Sequence, residues 1–325
     1  MSEPATPGDR LWEPGRPSTE ELPGEVLDDV ARVVGAEVAL LGRLTGGVNG
    51  GATRVRLAGG TDAVLKAVPR AHAKHLDETL RAQRVVEHMR RRGYPTPAWL
   101  GVGATAGHVW HLMDFVDAAP ASELTVSLVE QLMEVIELQA GQASEPYDHW
   151  SYAWRIATGQ GPAVALSIDE TPEQSLLRQS VAKLSGRSPV VSALVQRLRL
   201  ACADVPPPRE APDMVHADLA TPSNVLVRGG EVVAVVDIGN AGSGTRATDL
   251  TTLAWYTFQD PLLDVVRHRL WTRILDLVSG EGATVLAATH ILLMLELPIR
   301  QGHHDLVPEV VERGHRALDE LDALH

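Results

Sequence analysis

Cysteine is almost absent from this 325-residue chain. Cys202 stands alone, which excludes an intrachain disulfide and points to a reducing, cytoplasmic compartment. No uninterrupted apolar run approaches the roughly 20 residues a membrane-crossing helix needs; Ile291-Leu292-Leu293-Met294-Leu295 stops at Glu296. The opening residues, Met1-Ser2-Glu3-Pro4-Ala5-Thr6-Pro7, are neither basic nor apolar, so no secretory signal is expected. Basic charge is also scarce: 29 Lys and Arg face 42 Asp and Glu, a net charge of −13. That balance argues against nucleic acid, which requires a basic footprint, and suits a cationic small molecule. No internal repeat is evident. Present instead is 44% hydrophobic residues over a length too great for one small core, which predicts two lobes around a cleft.

The densest chemistry lies in Val215-His216-Ala217-Asp218-Leu219-Ala220-Thr221-Pro222-Ser223-Asn224-Val225-Leu226-Val227, followed by Val232-Val233-Ala234-Val235-Val236-Asp237. Two apolar runs joined by Arg228-Gly229-Gly230-Glu231 predict a hairpin, because Gly-Gly supplies the positive φ of a tight turn. The hairpin brings Asn224 and Asp237 to one end. A carboxylate able to take a hydroxyl proton, beside an amide and a second carboxylate able to share one ion, is the set phosphoryl transfer uses. Capping Asp and Asn residues around an ordinary hairpin are the competing explanation.

The stretch resembles the signature of the aminoglycoside phosphotransferase and choline kinase-like family. There a His-x-Asp loop precedes Asn-Val-Leu-Val and a strand that ends on Asp; Asp249-Leu250 also resembles the family's downstream helix start. The resemblance implies an α+β, bilobal protein-kinase-like fold with a small β-rich N-lobe and a mainly helical C-lobe. It implies ATP (or GTP) and Mg2+ as cofactors, Asp218 as catalytic base, Asn224 and Asp237 as metal ligands, and Asp249 as a structural acid. Six positions separate Asp218 from Asn224, one more than the family usually has, which predicts a bulge at Thr221-Pro222.

The upstream chain supplies candidates for the nucleotide. Gly42-Arg43-Leu44-Thr45-Gly46-Gly47-Val48-Asn49-Gly50-Gly51 is a glycine-rich turn between strand-like runs. Gly46, Gly47 and Asn49 are its candidate phosphate contacts, although the Walker A ending is missing. Lys66 sits inside the apolar run Ala63-Val64-Leu65-Lys66-Ala67-Val68, where a lone charge needs a partner. In kinases that partner is phosphate; the competing reading is a surface Lys on an edge strand. On a helix expected over 72–92, Glu78 is the candidate acid for Lys66, with Asp77 and Glu87 as alternatives. The family register itself puts Ala82 at that place. Val109-Trp110-His111-Leu112-Met113-Asp114-Phe115-Val116 resembles the hinge strand, which assigns the base to the backbone of Asp114 and Val116 with Met113 beside the ring.

These residues divide the chain into a flexible tail (1–24), a nucleotide-binding N-lobe with hinge (25–116) and a helical C-lobe carrying the catalytic loop and acceptor site (117–325). Further helices are expected over 127–142, 249–258, 261–279, 282–299 and 307–324. Asp148, His149, Trp150 and Trp154 read as packing residues, with contact to the acceptor as the alternative, and His303-His304-Asp305 reads as surface. The expected acceptor is a small cationic natural product, an aminoglycoside or basic peptide antibiotic, with Asp260, Asp264 and Glu296 as its carboxylates. A metabolic kinase of a small alcohol or sugar, and a nucleotide-binding pseudokinase, are the alternatives. Neither a nucleic-acid nor a membrane partner is expected, and the chain is expected to act as monomer or homodimer.

Overall fold

A computed structural model describes residues 22–44, 52–143, 148–159, 186, 188–209 and 211–324. Two compact units form. One holds the described residues up to Leu124 together with Asp218–Ala241; the other holds those of Thr125–Ala217 and Gly242–His325. The hairpin with Asn224 and Asp237 therefore packs with the sheet, whereas the sequence had grouped it with the helical part. Of the expected tail, 1–21 lies outside the described residues.

The sheet-bearing unit opens with helix α1 (Gly24–Val34), which ends on Gly35 in the left-handed region at φ 67°. Val26 and Val30, four residues apart, share its buried face. Strands β1 (Val38–Arg43), β2 (Ala52–Leu57) and β3 (Asp62–Pro69) follow. After helix α2 (His75–Arg91) come β4 (Trp99–Ala104) and β5 (His108–Asp114), and the antiparallel order is β1-β2-β3-β5-β4. Strand period two sorts β3 into faces. Ala63 and Leu65 join Val26, Val30, Val55, Trp110 and Leu112 in the core, leaving Val64 and Lys66 on the opposite face. Trp110 lies so close to Gly103 that a Cβ there would come within 2.4 Å of its ring. Its indole N–H donates to Asp29 at 2.9 Å.

A short strand β6 (Ala119–Pro120) precedes the helical unit, which begins with α3 (Val126–Glu137), α4 (His149–Thr158), α5 (Pro189–Cys202) and strand β7 (Asp213–Val215). The chain then rejoins the sheet-bearing unit as β8 (Val225–Arg228) and β9 (Glu231–Val235), with β8 between β6 and β9. Gly229 and Gly230 at φ 60° and 86° make the predicted tight turn. Val225 pairs with Val235, and Val236 N–H donates to the Asn224 carbonyl at 2.8 Å, so Asn224 and Asp237 share the open end.

The helical unit closes with β10 (Gly242–Gly244), paired to β7, and helices α6 (Ala247–Tyr256), α7 (Asp264–Leu277), α8 (Gly280–Gln301) and α9 (Val307–Asp322). Asp148 caps α4 by accepting from Ser151 N–H at 2.9 Å, and Trp154 donates to the Val205 carbonyl at 2.8 Å. Both are packing roles. One expectation needs correcting. By length and composition Gly280–Ile299 is apolar enough to cross a membrane, Glu296 notwithstanding; 67% of it is buried inside the protein, as in a core helix.

Candidate functional site

A cavity of about 340 Å³ opens on the Lys66 face of the sheet. Val64 and Lys66 of β3, His111 and Met113 of β5, Asp114, Val116, Asn224, Leu226 and Asp237 all line it. Antiparallel pairing sets Lys66 opposite His111 in β5 and Ala52 in β2, so Lys66 is on a central strand, not an edge. Its ammonium donates to Asp237 Oδ1 at 2.5 Å. Asp237 itself is left-handed (φ 64°, ψ 39°), a conformation that costs a non-glycine residue about 1–2 kcal/mol.

The predicted bulge between Asp218 and Asn224 is a turn of 3₁₀ helix, Pro222–Asn224, closed by Asn224 N–H to the Thr221 carbonyl at 2.8 Å. The turn folds the loop back on itself. Asn224 Nδ2 donates to the main-chain carbonyl of Asp218 at 2.8 Å and to its carboxylate at 3.1 Å, while the Thr221 hydroxyl donates to the other carboxylate oxygen. With its nitrogen engaged, Asn224 has its side-chain oxygen left for a cation. Burial pushes the Asp218 carboxyl up to about 6, against the lowering effect of Thr221 and Asn224; the nearby Asp237 carboxylate adds to the rise.

At the hinge end Met113 and Val64 supply apolar walls, and Asp114 N–H is held by the Ala98 carbonyl at 2.9 Å. His111 was not singled out from the sequence. Strand alternation gave the signal, since a residue two before Met113 shares its face. Its ring stacks on Trp99 at 4.0 Å and 5°. Burial, reinforced by the Lys66 charge, lowers its pKa to about 3, so the imidazole is neutral at pH 7.

One sequence expectation is met differently. Glu78 pairs with His72 at 3.4 Å, while Lys66 goes to Asp237; Glu78 lies in the first turn of α2, and Ala82 is the fully buried residue one turn on. Asp260 caps a 3₁₀ turn by accepting from Leu262 N–H at 2.9 Å, and Asp264 pairs with Arg267 at 2.6 Å. Glu296 is buried. Gly46, Gly47 and Asn49 lie outside the described residues, but the strands that bound their turn do pair, with Leu44 N–H donating to the Ala52 carbonyl at 2.8 Å.

The sequence profile of the phosphotransferase enzyme family (APH) matches residues 41–284, three quarters of the chain. The chain belongs to that family. Solved structures agree on the fold. A thermostable mutant of aminoglycoside phosphotransferase APH(4)-Ia, in ternary complex with ADP and hygromycin B, is 17% identical with a TM-score of 0.63, covering 91% of this chain and 98% of that one. A putative fructosamine-3-kinase from Thermobifida fusca is 21% identical, TM-score 0.57, covering 90% and 98%. An aminoglycoside phosphotransferase from Alicyclobacillus acidocaldarius is 12% identical, TM-score 0.55, covering 94% and 95%. No curated protein matches by sequence.

In this phosphotransferase the segment His216-Ala217 is braced from α6. The buried Asp249 carboxylate accepts from His216 N–H at 2.8 Å and Ala217 N–H at 2.9 Å, and holds Ala217 at a left-handed φ of 71°. Gln139 Nε2 also donates to Asp249 at 2.9 Å. The donors at the open end of the hairpin, one carboxylate and one amide oxygen, are hard oxygen ligands. They would suit a magnesium ion, a hard cation that prefers oxygen ligands. No cluster of three or more His, Cys, Asp or Glu able to hold a metal occurs among the described residues.

Proposed function

We propose that this protein transfers the γ-phosphate of ATP (or GTP) to a hydroxyl of a small, amine-bearing natural product, as a cytoplasmic resistance or self-protection enzyme. One observation carries the reading. Lys66 and Asp237, joined at 2.5 Å, line one cavity with Asn224, which is itself bonded to Asp218. Bound magnesium supplies positive charge to the phosphate oxygens. Lys66 holds the phosphates, and Asn224 and Asp237 present oxygen ligands. At the base end, the Val116 carbonyl accepts from Ala118 N–H at 2.9 Å, which favours the Val116 N–H as the group that would read the base.

Asp218 orients the acceptor hydroxyl and accepts its proton late, when charge has developed on the transferring group. A carboxyl raised to about 6 is ionised at neutral pH and a better proton acceptor than an ordinary one. Three things support an amine-bearing acceptor: the net charge of −13 and the names of two similar structures, an aminoglycoside phosphotransferase and a putative fructosamine-3-kinase.

Amine-rich antibiotics should be screened by thermal shift with AMP-PNP present, and hits incubated with ATP for product mass. Acceptor affinity should fall as ionic strength rises from about 0.01 M, where charges reach roughly 30 Å, to about 0.15 M, where they reach roughly 8 Å. A best acceptor that is neutral and indifferent to salt would replace this reading with a metabolic alcohol or sugar kinase. Nucleotide binding with no acceptor turned over would favour a binding protein.

A further inference from the structure

On α2 the residue facing the loop after Asp237 is Arg81, an unusual place for a buried guanidinium. Its side chain is 6% exposed, next to the fully buried Ala82. One terminal nitrogen donates to the Ala241 carbonyl and the other to the Gly239 carbonyl at 3.1 Å. Those carbonyls belong to the middle residue and to the C-cap of the 3₁₀ turn Ile238–Asn240, which starts directly after Asp237 and is closed by Ala241 N–H to the Ile238 carbonyl at 3.0 Å. A planar guanidinium bonded to two main-chain oxygens fixes direction as well as distance.

We infer that Arg81 is a positioning residue for the metal ligand: it grips the Gly239–Ala241 backbone and thereby holds Asp237 in its left-handed conformation, facing Lys66. The helix acts on the site through loop backbone. Ala82 has no carboxylate to offer Lys66, and Glu78 is committed to His72. A strained residue persists only where its surroundings over-determine it. Here the constraints on Asp237 come from both sides, Val236 N–H on the Asn224 carbonyl before it and the Arg81 grip after it. The inference rests on the proposed role of Asp237 as a magnesium ligand.

The test compares Arg81→Met, Arg81→Lys and Asp237→Asn in the full-length protein. Mn2+ binding to the AMP-PNP complex is measured by electron paramagnetic resonance, and AMP-PNP binding is measured separately in EDTA. Loss of a residue that orients a ligand typically weakens metal binding by about 10–100-fold. Arg81→Met should show that loss with metal-free nucleotide affinity near wild type, and Arg81→Lys, a single-point donor, should recover part of it. The kcat should fall with the metal affinity while the acceptor KM stays put. If Arg81→Met does not fold, Arg81→Lys carries the comparison and must still weaken Mn2+ more than nucleotide. Unchanged Mn2+ affinity in the Arg81 variants, with a loss in Asp237→Asn, overturns the inference alone, as does an equal loss of metal and metal-free nucleotide binding. Unchanged Mn2+ affinity in Asp237→Asn overturns the underlying assignment of Asp237.

Discussion

Lys66 and Asp237, 171 residues apart in sequence, meet at 2.5 Å across the cavity. The pair is open to water, with side chains 20% and 41% exposed, so it adds little to stability. Its consequence is functional. Under the proposed function, the cation that would hold phosphate and the anion that would hold metal neutralise each other until both ligands arrive. A double-mutant cycle of Lys66→Met and Asp237→Asn, read by chemical denaturation, should give a coupling of at most about 1 kcal/mol. Nucleotide affinity in Lys66→Met should drop far more than stability does. A stability coupling of several kcal/mol would make the pair a structural one.

Asp218→Asn retains shape and removes the proton acceptor. Turnover should fall by about 10²–10⁴ while nucleotide affinity hardly moves. In the wild type, kcat/KM should rise with pH through an acid limb near 6, because the carboxyl must lose its proton before it can accept one. A flat profile between pH 5 and 7, or near-wild-type turnover in Asp218→Asn, would remove Asp218 as base.

Asn224→Ala and Asp237→Ala should each raise the magnesium concentration needed for half-maximal rate. Combined, their effects should be non-additive, since both oxygens serve one ion. Magnesium titrations of the two single variants and the double variant measure this. Strict additivity would mean that the 3₁₀ turn has carried Asn224 off the metal.

His111 makes the protein sensitive to acid. Its pKa is about 3 when folded against an ordinary 6.5, so protonation favours the unfolded chain. The stability it contributes is complete above about 6.5 and is lost as pH falls towards 3, by up to about 1.4 kcal/mol per unit. His111→Phe keeps a ring against Trp99 and removes the titration. Its unfolding free energy should change less steeply between pH 6 and 4 than that of wild type, by urea denaturation. Equal slopes would show that the imidazole is already solvated when folded.

How much of the site could be read depended on the range of the interaction. Asn224 and Asp237 were legible together because Gly229-Gly230 dictates the turn and the flanking apolar runs dictate the register. The pairing of Asp264 with Arg267 was equally local, three residues apart on one helix, and was open to the same reasoning. His111 lay one strand period from Met113. The hydropathy of Gly280–Ile299 was visible too, although only packing showed that two thirds of it is interior.

The sequence by itself determined the α+β class, the hairpin with Asn224 and Asp237 at its open end, Asp218 as the candidate base, and the Lys in its strand. Each follows from turn chemistry, strand or helix period, or motif spacing within a few tens of residues. Only the tertiary structure decided which partners those side chains take: Lys66 with Asp237 rather than Glu78, and Arg81 on carbonyls 158 and 160 positions away. It also decided that Asp218 is buried enough to raise its pKa and that His111 is held neutral. The reason is physical. Period and propensity are properties of neighbouring residues, whereas an ion pair or a desolvated carboxyl depends on what distant segments bring within a few ångströms.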